Sequence, residues 1–181
     1  MEIIDDFLGY KEFQKLQSEI INPVFDWNFV PMTDSIGEHP DKFSGQFVHL
    51  AYSNCVPRTT FFNSLMPVLN RLDATTLNRI KANLQPRTKK PAEGLFHTDL
   101  SGDMNMDTMK TWTTSVYYIN TNNGYTEFND GTKIESVENR MVKFSSDTFH
   151  RGVTCTDEQT RVLINFNYIP LYKGWHGTWK G

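Results

Sequence analysis

The chain has 181 residues and a formal net charge of −3, from 18 basic and 21 acidic side chains. That length supplies one sizeable core and is short for two. A mildly acidic balance gives no general attraction to nucleic acid. Thirteen phenylalanines, seven tyrosines and four tryptophans argue against disorder, and no apolar run is long enough to cross a bilayer. The start, Met1-Glu2-Ile3-Ile4-Asp5-Asp6, is acidic and reads as no signal peptide. Cys55 and Cys155 are too few for a disulfide framework, so a reducing cytoplasm is the expected setting.

Asp5 to Ile21 reads as a capped helix with an apolar stripe of Phe7, Leu8, Phe13, Leu16 and Ile20, limited by Pro23. Asp34 to Lys42, with Gly37 and Pro40, reads as a loop, and Phe47 to Tyr52 as a short strand. Pro57 to Leu72 has Phe61, Leu65, Val68, Leu69 and Leu72 at helical spacing. Pro67 inside it requires a kink or a later start. After that the period changes. Leu77 to Gln85 alternates, with Ile80, Ala82 and Leu84 on one face and Arg79, Lys81, Asn83 and Gln85 on the other. Thr113 to Ile119, Tyr125 to Phe128, Lys133 to Val137 and Met141 to Phe144 read as strands, separated by turns such as Asn129-Asp130-Gly131. Arg161 to Tyr168 alternates again, with Val162, Ile164 and Phe166 opposite Arg161, Leu163, Asn165 and Asn167. The expected plan is a single, mainly β domain. Residues 1–75 give mostly helical support, 76–170 a sandwich or barrel core, and 171–181 a tail with Tyr172, Trp175 and Trp179.

The chemistry concentrates in His97-Thr98-Asp99, a distant His150 and, eleven residues on, Arg161. Two imidazoles and a carboxylate are the ligand set of a facial triad that leaves metal positions open for Fe(II) oxygen chemistry. On a strand, residues i and i+2 share a face, so His97 and Asp99 can reach one metal, while His150 comes from another strand. Arg161 offers a forked cation suited to a carboxylate. A His-x-Asp pair alone is weak, and most histidines are surface or packing residues. His39, His49 and His176 show no partner pattern and read as non-ligands.

The ordered set of pieces from Gly94 to Tyr168 is more specific. It comprises Phe96-His97-Thr98-Asp99, Thr114 to Asn120, Asn123-Gly124-Tyr125-Thr126-Glu127-Phe128, Met141 to Phe144, His150-Arg151-Gly152-Val153 and Arg161 to Phe166. This stretch resembles the 2-oxoglutarate and Fe(II)-dependent dioxygenases, especially the prolyl-hydroxylase-like branch. It departs from their pattern at Asn123 and Tyr125, which replace a glycine and a glutamate, and at Gln85, where relatives often carry a tyrosine.

The resemblance implies a double-stranded β-helix, or jelly roll, braced by the N-terminal helices. It implies Fe(II) on His97, Asp99 and His150, with 2-oxoglutarate and O2 as cosubstrates. Arg161 and Tyr118 then hold the far carboxylate of 2-oxoglutarate, with Asn83 or Gln85 as a further contact. A C–H bond of a peptide or amino acid is hydroxylated, with release of succinate and CO2. A cupin-like metal-binding isomerase or binding module needs the metal but not Arg161. A nucleic-acid demethylase needs a continuous basic stripe with exposed aromatics.

Several features stay open in both senses. Asn165 and Asn167 are costly inside a barrel unless a polar pocket or the wet rim receives them. Ser101 to Trp112 reads as a mobile substrate lid or as a loop whose methionines fill a core gap. Arg79, Lys81, Arg87, Lys89 and Lys90 form a basic cluster that steers an anion or is simply solvated. Tyr117, opposite Tyr118, reads as a core residue.

Overall fold

The computed structural model describes residues 1–31, 45–100, 102 and 104–171. The predicted loop at 34–42, His39, His176 and the aromatic tail lie outside them, as do Ser101 and Asp103 of the predicted lid.

A short strand, β1 (Glu2–Ile4), leads to helix α1 (Tyr10–Ile20). The helix starts later than the apolar stripe predicts, because Phe7 and Leu8 enter the core on an irregular lead-in. Asn139 holds that lead-in. Its side chain accepts from the Leu8 N–H (2.9 Å) and the Tyr117 hydroxyl (2.6 Å), and donates to the Leu8 carbonyl (2.9 Å). Its backbone sits at φ 60, a conformation asparagine tolerates better than most residues. An 11-residue helix is marginal alone in water, and Gly9 provides no side-chain cap. Burial of Phe13, Leu16 and Ile20 on one face holds it, at about 1.5–3 kcal/mol per side chain.

Strands β2 (Asn28–Val30), β3 (Gln46–Ser53) and β4 (Val56–Pro57) follow, so the first 75 residues contribute strands as well as helices. The long second helix is instead two short ones, α2 (Phe61–Ser64) and α3 (Met66–Arg71). Pro67 falls in the first turn of α3, where its missing N–H has no helical partner to lose. Beyond them come β5 (Ala74–Pro86), α4 (Met106–Met109), β6 (Thr113–Tyr118), β7 (Asn122–Phe128), β8 (Lys133–Ser136), β9 (Met141–Ser145), β10 (His150–Val153) and β11 (Thr160–Pro170).

Every ladder is antiparallel. The major sheet runs β1-β9-β6-β11-β5-β3-β2, with β4 added on β3, and the minor sheet runs β10-β7-β8. Alternation along β5 and β11 sorts their residues between two environments. Ile80, Ala82, Val162, Ile164 and Phe166 join α1, α2 and α3 residues in a core on the outer face of the major sheet. Val116, Tyr118, Phe144 and Leu163 of the major sheet meet Phe128 and Ile134 of the minor sheet in a second, inner core. The result is the mainly β, helix-braced jelly roll. Among the described residues, no helix is long and apolar enough to cross a membrane.

Candidate metal centre

The two sheets leave a cavity of about 330 Å³ between them, lined from β5, β6, β7, β10, β11 and the segment 92–99. His97 stands just outside the named strands but forms an isolated bridge with His150. Each backbone N–H donates to the other's carbonyl at 3.0 Å. That bridge brings the two imidazoles to 4.9 Å between ring centroids. Asp99, two residues from His97, turns its carboxylate to the same place, with Oδ1 3.8 Å from His97 Nε2. The ligand atoms of His97, Asp99 and His150 all lie within 4.8 Å of one another, the one such trio among the described residues.

The donor set fits a divalent ion on its own chemistry. His97 Nδ1 lies 3.0 Å from the Leu95 carbonyl and His150 Nδ1 3.1 Å from the Thr148 carbonyl. A carbonyl only accepts, so each Nδ1 carries the proton and each Nε2 presents its lone pair. Burial also lowers the His150 pKa, which favours the neutral ring. Asp99 is buried, and burial pushes its carboxyl up. The charges of His150, Arg79, His97 and Lys81 outweigh that and hold it at about 2.

The second carboxylate oxygen is fixed by β11. Asn165 and Asn167 donate to Asp99 Oδ2 at 3.3 and 3.2 Å, and Asn167 also donates to Thr114 Oγ1 at 3.0 Å. Both asparagines are thus buried rather than standing at a wet rim, and Asn165 lines the cavity. Arg79 donates to the Asp99 backbone carbonyl at 2.8 Å. These contacts leave Oδ1 as the oxygen facing the histidines. Three buried polar atoms nearby, Arg79 Nε, Asn165 Oδ1 and Asn167 Oδ1, have no partner among the described residues.

Arg161 lies in the same cavity and is 1 % exposed. Its guanidinium donates through Nε to Ser136 Oγ (2.9 Å), through one terminal nitrogen to Gln85 Oε1 (3.0 Å) and through the other to Thr126 Oγ1 (3.0 Å). Every partner is neutral, and no carboxylate among the described residues pairs with it. A guanidinium has five N–H groups, so one remains on each terminal nitrogen. Burial draws the Arg161 pKa down, yet arginine stays charged in proteins. Gly124 makes room for the stem: a Cβ there would stand 2.7 Å from Arg161 Cδ.

Tyr118 lies behind this cation rather than on the cavity wall. Its hydroxyl donates to Thr126 Oγ1 at 2.7 Å, and the guanidinium carbon sits 5.6 Å from the ring centroid. It therefore acts on Arg161 directly through its ring as well as through Thr126. Asn83 lines the cavity, where its Oδ1 accepts from Gln46 at 3.2 Å, while Gln85 makes the Arg161 contact.

Thr126, Ser136 and Gln46 carried no signal of their own in the sequence; Thr126 and Ser136 reach Arg161 from the minor sheet, and Gln46 reaches Asn83 from β3. The basic cluster divides, with Arg79 and Lys81 on the cavity and Arg87, Lys89 and Lys90 exposed. His49 binds the Asp26 carbonyl and Thr59 and is no ligand. Tyr117 is a core residue packed on Phe7 and Phe13. In the predicted lid, α4 is capped by Asn105, Met109 is buried and Met106 exposed. None of its described residues lines the cavity.

No family model matches the sequence, and no curated protein matches it. Solved structures do. A Trichoplax adhaerens prolyl hydroxylase in complex with a hypoxia inducible factor oxygen degradation domain peptide fragment is 14% identical, with a TM-score of 0.63 over 93% of this chain and 82% of that one. A Pseudomonas putida prolyl-4-hydroxylase is 13% identical, with a TM-score of 0.61 over 93% and 91%. HygX from Streptomyces hygroscopicus, with nickel and 2-oxoglutarate bound, is 10% identical, with a TM-score of 0.59 over 94% and 82%. At such identities the likeness establishes the shared fold.

Proposed function

We propose that the protein is an Fe(II)- and 2-oxoglutarate-dependent dioxygenase that hydroxylates a C–H bond of an amino acid or peptide. The observation that carries this reading is the pairing of two unmatched sites in one cavity. His97, Asp99 and His150 present three metal donors, and Arg161 presents a buried cation with a free two-pronged fork. Bound iron, with O2 and 2-oxoglutarate, supplies the oxidising power for hydroxylation and releases succinate and CO2.

The chain's own residues do the rest. His97, Asp99 and His150 would hold the ion, with the imidazole tautomers fixed by the Leu95 and Thr148 carbonyls. Asn165 and Asn167 keep the Asp99 carboxylate from rotating by holding one oxygen. Arg161 would take the far carboxylate of 2-oxoglutarate on its remaining N–H pair, oriented by Ser136, Thr126 and Gln85. Tyr118 steadies Thr126, and the inner core around it keeps water from the back of the cation.

A cupin-like isomerase has no use for a buried arginine without an anion, a costly arrangement in the absence of a ligand. The prolyl hydroxylase neighbours support a prolyl or similar aliphatic C–H as target, and the neighbour bound to nickel and 2-oxoglutarate supports the cosubstrate. The test is succinate release from 2-oxoglutarate by the Fe(II)-loaded protein, with calorimetric titration of 2-oxoglutarate alongside. Micromolar binding that needs the metal and weakens at least tenfold in Arg161→Ala is expected. Absence of metal-dependent 2-oxoglutarate binding would remove the proposal.

A further inference from the structure

The three metal donors are not held equally. His150 is a buried residue of β10, and two amides of β11 grip the Asp99 carboxylate. His97 lies outside the named strands, and its side chain is 42 % exposed against 3 % for Asp99. The Leu95 carbonyl of its own segment orients its ring, so the ring goes where the segment goes. Segment 92–97 is laid along β10 by the Glu93–Val153 and His97–His150 bridges and by the Gly94 N–H, which donates to the Gly152 carbonyl at 3.0 Å.

Arg151 adds a second hold. Standing between His150 and Gly152, which line the cavity, it points to the opposite face of the minor sheet. Glu127 of β7 lies directly across the ladder from it. Arg151 Nε donates to Glu127 Oε2 at 2.8 Å, and one terminal nitrogen is 2.6 Å from the same oxygen. The other terminal nitrogen is 2.7 Å from Glu93 Oε2, and the guanidinium carbon sits 4.5 Å from the centroid of the Phe96 ring. Glu93 and Phe96 belong to the His97 segment, whereas Glu127 belongs to the strand beyond β10. One cation therefore joins that segment to β7 across the strand between them. The Arg151 and Glu127 side chains are mostly buried, so solvent screens this pair less than an open surface pair. A lysine is a point charge and cannot bridge two carboxylates while lying flat on a ring.

We propose that Arg151 is a positioning residue for the metal centre: by tying Glu93 and Phe96 to Glu127, it keeps His97 within coordinating reach of Asp99 and His150. It acts through the His97 segment and touches neither the metal nor the cosubstrate. The inference rests on the metal-binding part of the reading above. Without the guanidinium the segment keeps its bonds to β10 and loses its tie to β7, and His97 becomes the donor that leaves first.

The probe is cobalt(II), whose ligand-field absorption reports the donors around it, with calorimetry for affinity. Arg151→Met keeps an apolar stem over Phe96 and removes the cation. It should bind cobalt about 10-fold more weakly, as for other groups that orient metal ligands, and its saturated spectrum should move towards that of His97→Ala. Arg151→Lys should fall between the parent and the methionine variant. Glu93→Gln alters a half-exposed carboxylate and should weaken cobalt binding in the same direction, so it serves if Arg151→Met fails to fold. Arg140→Met is the control. It breaks an ion pair with Asp5 away from the cavity, and should lower the urea midpoint while leaving cobalt affinity and spectrum unchanged.

Parental cobalt affinity and spectrum in Arg151→Met, or in Glu93→Gln where that variant stands in, overturn the inference. So does an equal loss in Arg140→Met, which would make the effect one of general stability. A parent protein that binds no cobalt would sink the metal centre itself, and this inference with it. A parent that binds cobalt but no 2-oxoglutarate would remove the dioxygenase reading and leave the role of Arg151 standing.

Discussion

Replacing Gly124 by alanine tests how tightly the Arg161 site is built. A Cβ at this position would meet Arg161 Cδ at 2.7 Å, Asn122 Oδ1 at 2.8 Å and the Val153 backbone carbonyl at 2.9 Å. None of the three can swing away. Val153 belongs to the neighbouring strand, Asn122 Oδ1 accepts from the Gly124 N–H, and the arginine is pinned by Ser136, Gln85 and Thr126. Relief to an ordinary contact of 3.4 Å moves Cδ by 3.4 − 2.7, about 0.7 Å. That is enough to stretch guanidinium hydrogen bonds now at 2.9–3.0 Å beyond useful length. Overpacking of this kind costs about 1–3 kcal/mol of stability. With the fork displaced, 2-oxoglutarate affinity should fall about tenfold, equivalent to about 1.4 kcal/mol. Gly131→Ala is the control. Gly131 sits at φ 86 with nothing within 4 Å, so alanine there strains the β7–β8 turn, by about 1–2 kcal/mol, far from the arginine. Urea unfolding and calorimetry should show both variants destabilised and only Gly124→Ala impaired in binding. A Gly124→Ala protein with parental affinity would refute the close fit beneath Arg161.

Other expectations follow from the same geometry. Asn167→Ala removes one of two amides on Asp99 Oδ2, and metal titration should show affinity reduced by about 10-fold, in the range for groups that orient metal ligands; unchanged affinity would mean Asp99 needs no such support. Arg161→Lys retains the charge and loses the fork, so 2-oxoglutarate should bind more weakly than to the parent and a simple anion site should remain; equal binding of 2-oxoglutarate would remove the bidentate account. Burial raises the pKa of Tyr168 to about 12, and burial also raises that of Tyr117. Both then lie above the unfolded value of about 10. The stability from keeping these phenols neutral is complete below pH ~10 and is lost as pH rises towards ~12. Urea midpoints should therefore fall steadily between pH ~10 and ~12, and a flat profile would contradict it.

Strict alternation is why β5 and β11 could be read from the chain: Ile80 and Ala82, and Val162, Ile164 and Phe166, can only share the helix-covered face if Arg79, Lys81 and Arg161 share the other. The i, i+2 placement of His97 and Asp99 was legible for the same reason. The start of α1 was not, since Phe7 and Leu8 fit a helical stripe but are held in an irregular lead-in by Asn139, far away in sequence. Nor were the neutral groups around Arg161. Ser136 and Thr126 are ordinary strand residues until the minor sheet is laid over the major one, and Tyr118 is placed by the inner core rather than by its own polarity.

The reciprocal hydrogen bonds between His97 and His150 have a consequence for the lifetime of the protein. The chain between these residues carries α4 and β6 to β9, and an ion gripped at the bridge clasps both ends of that span at once. Binding that exists only in the folded state adds directly to its stability, growing with the free metal concentration. On the proposed function, metal supply would then set how quickly the chain opens to proteases, the idle protein being cleared faster than the loaded one.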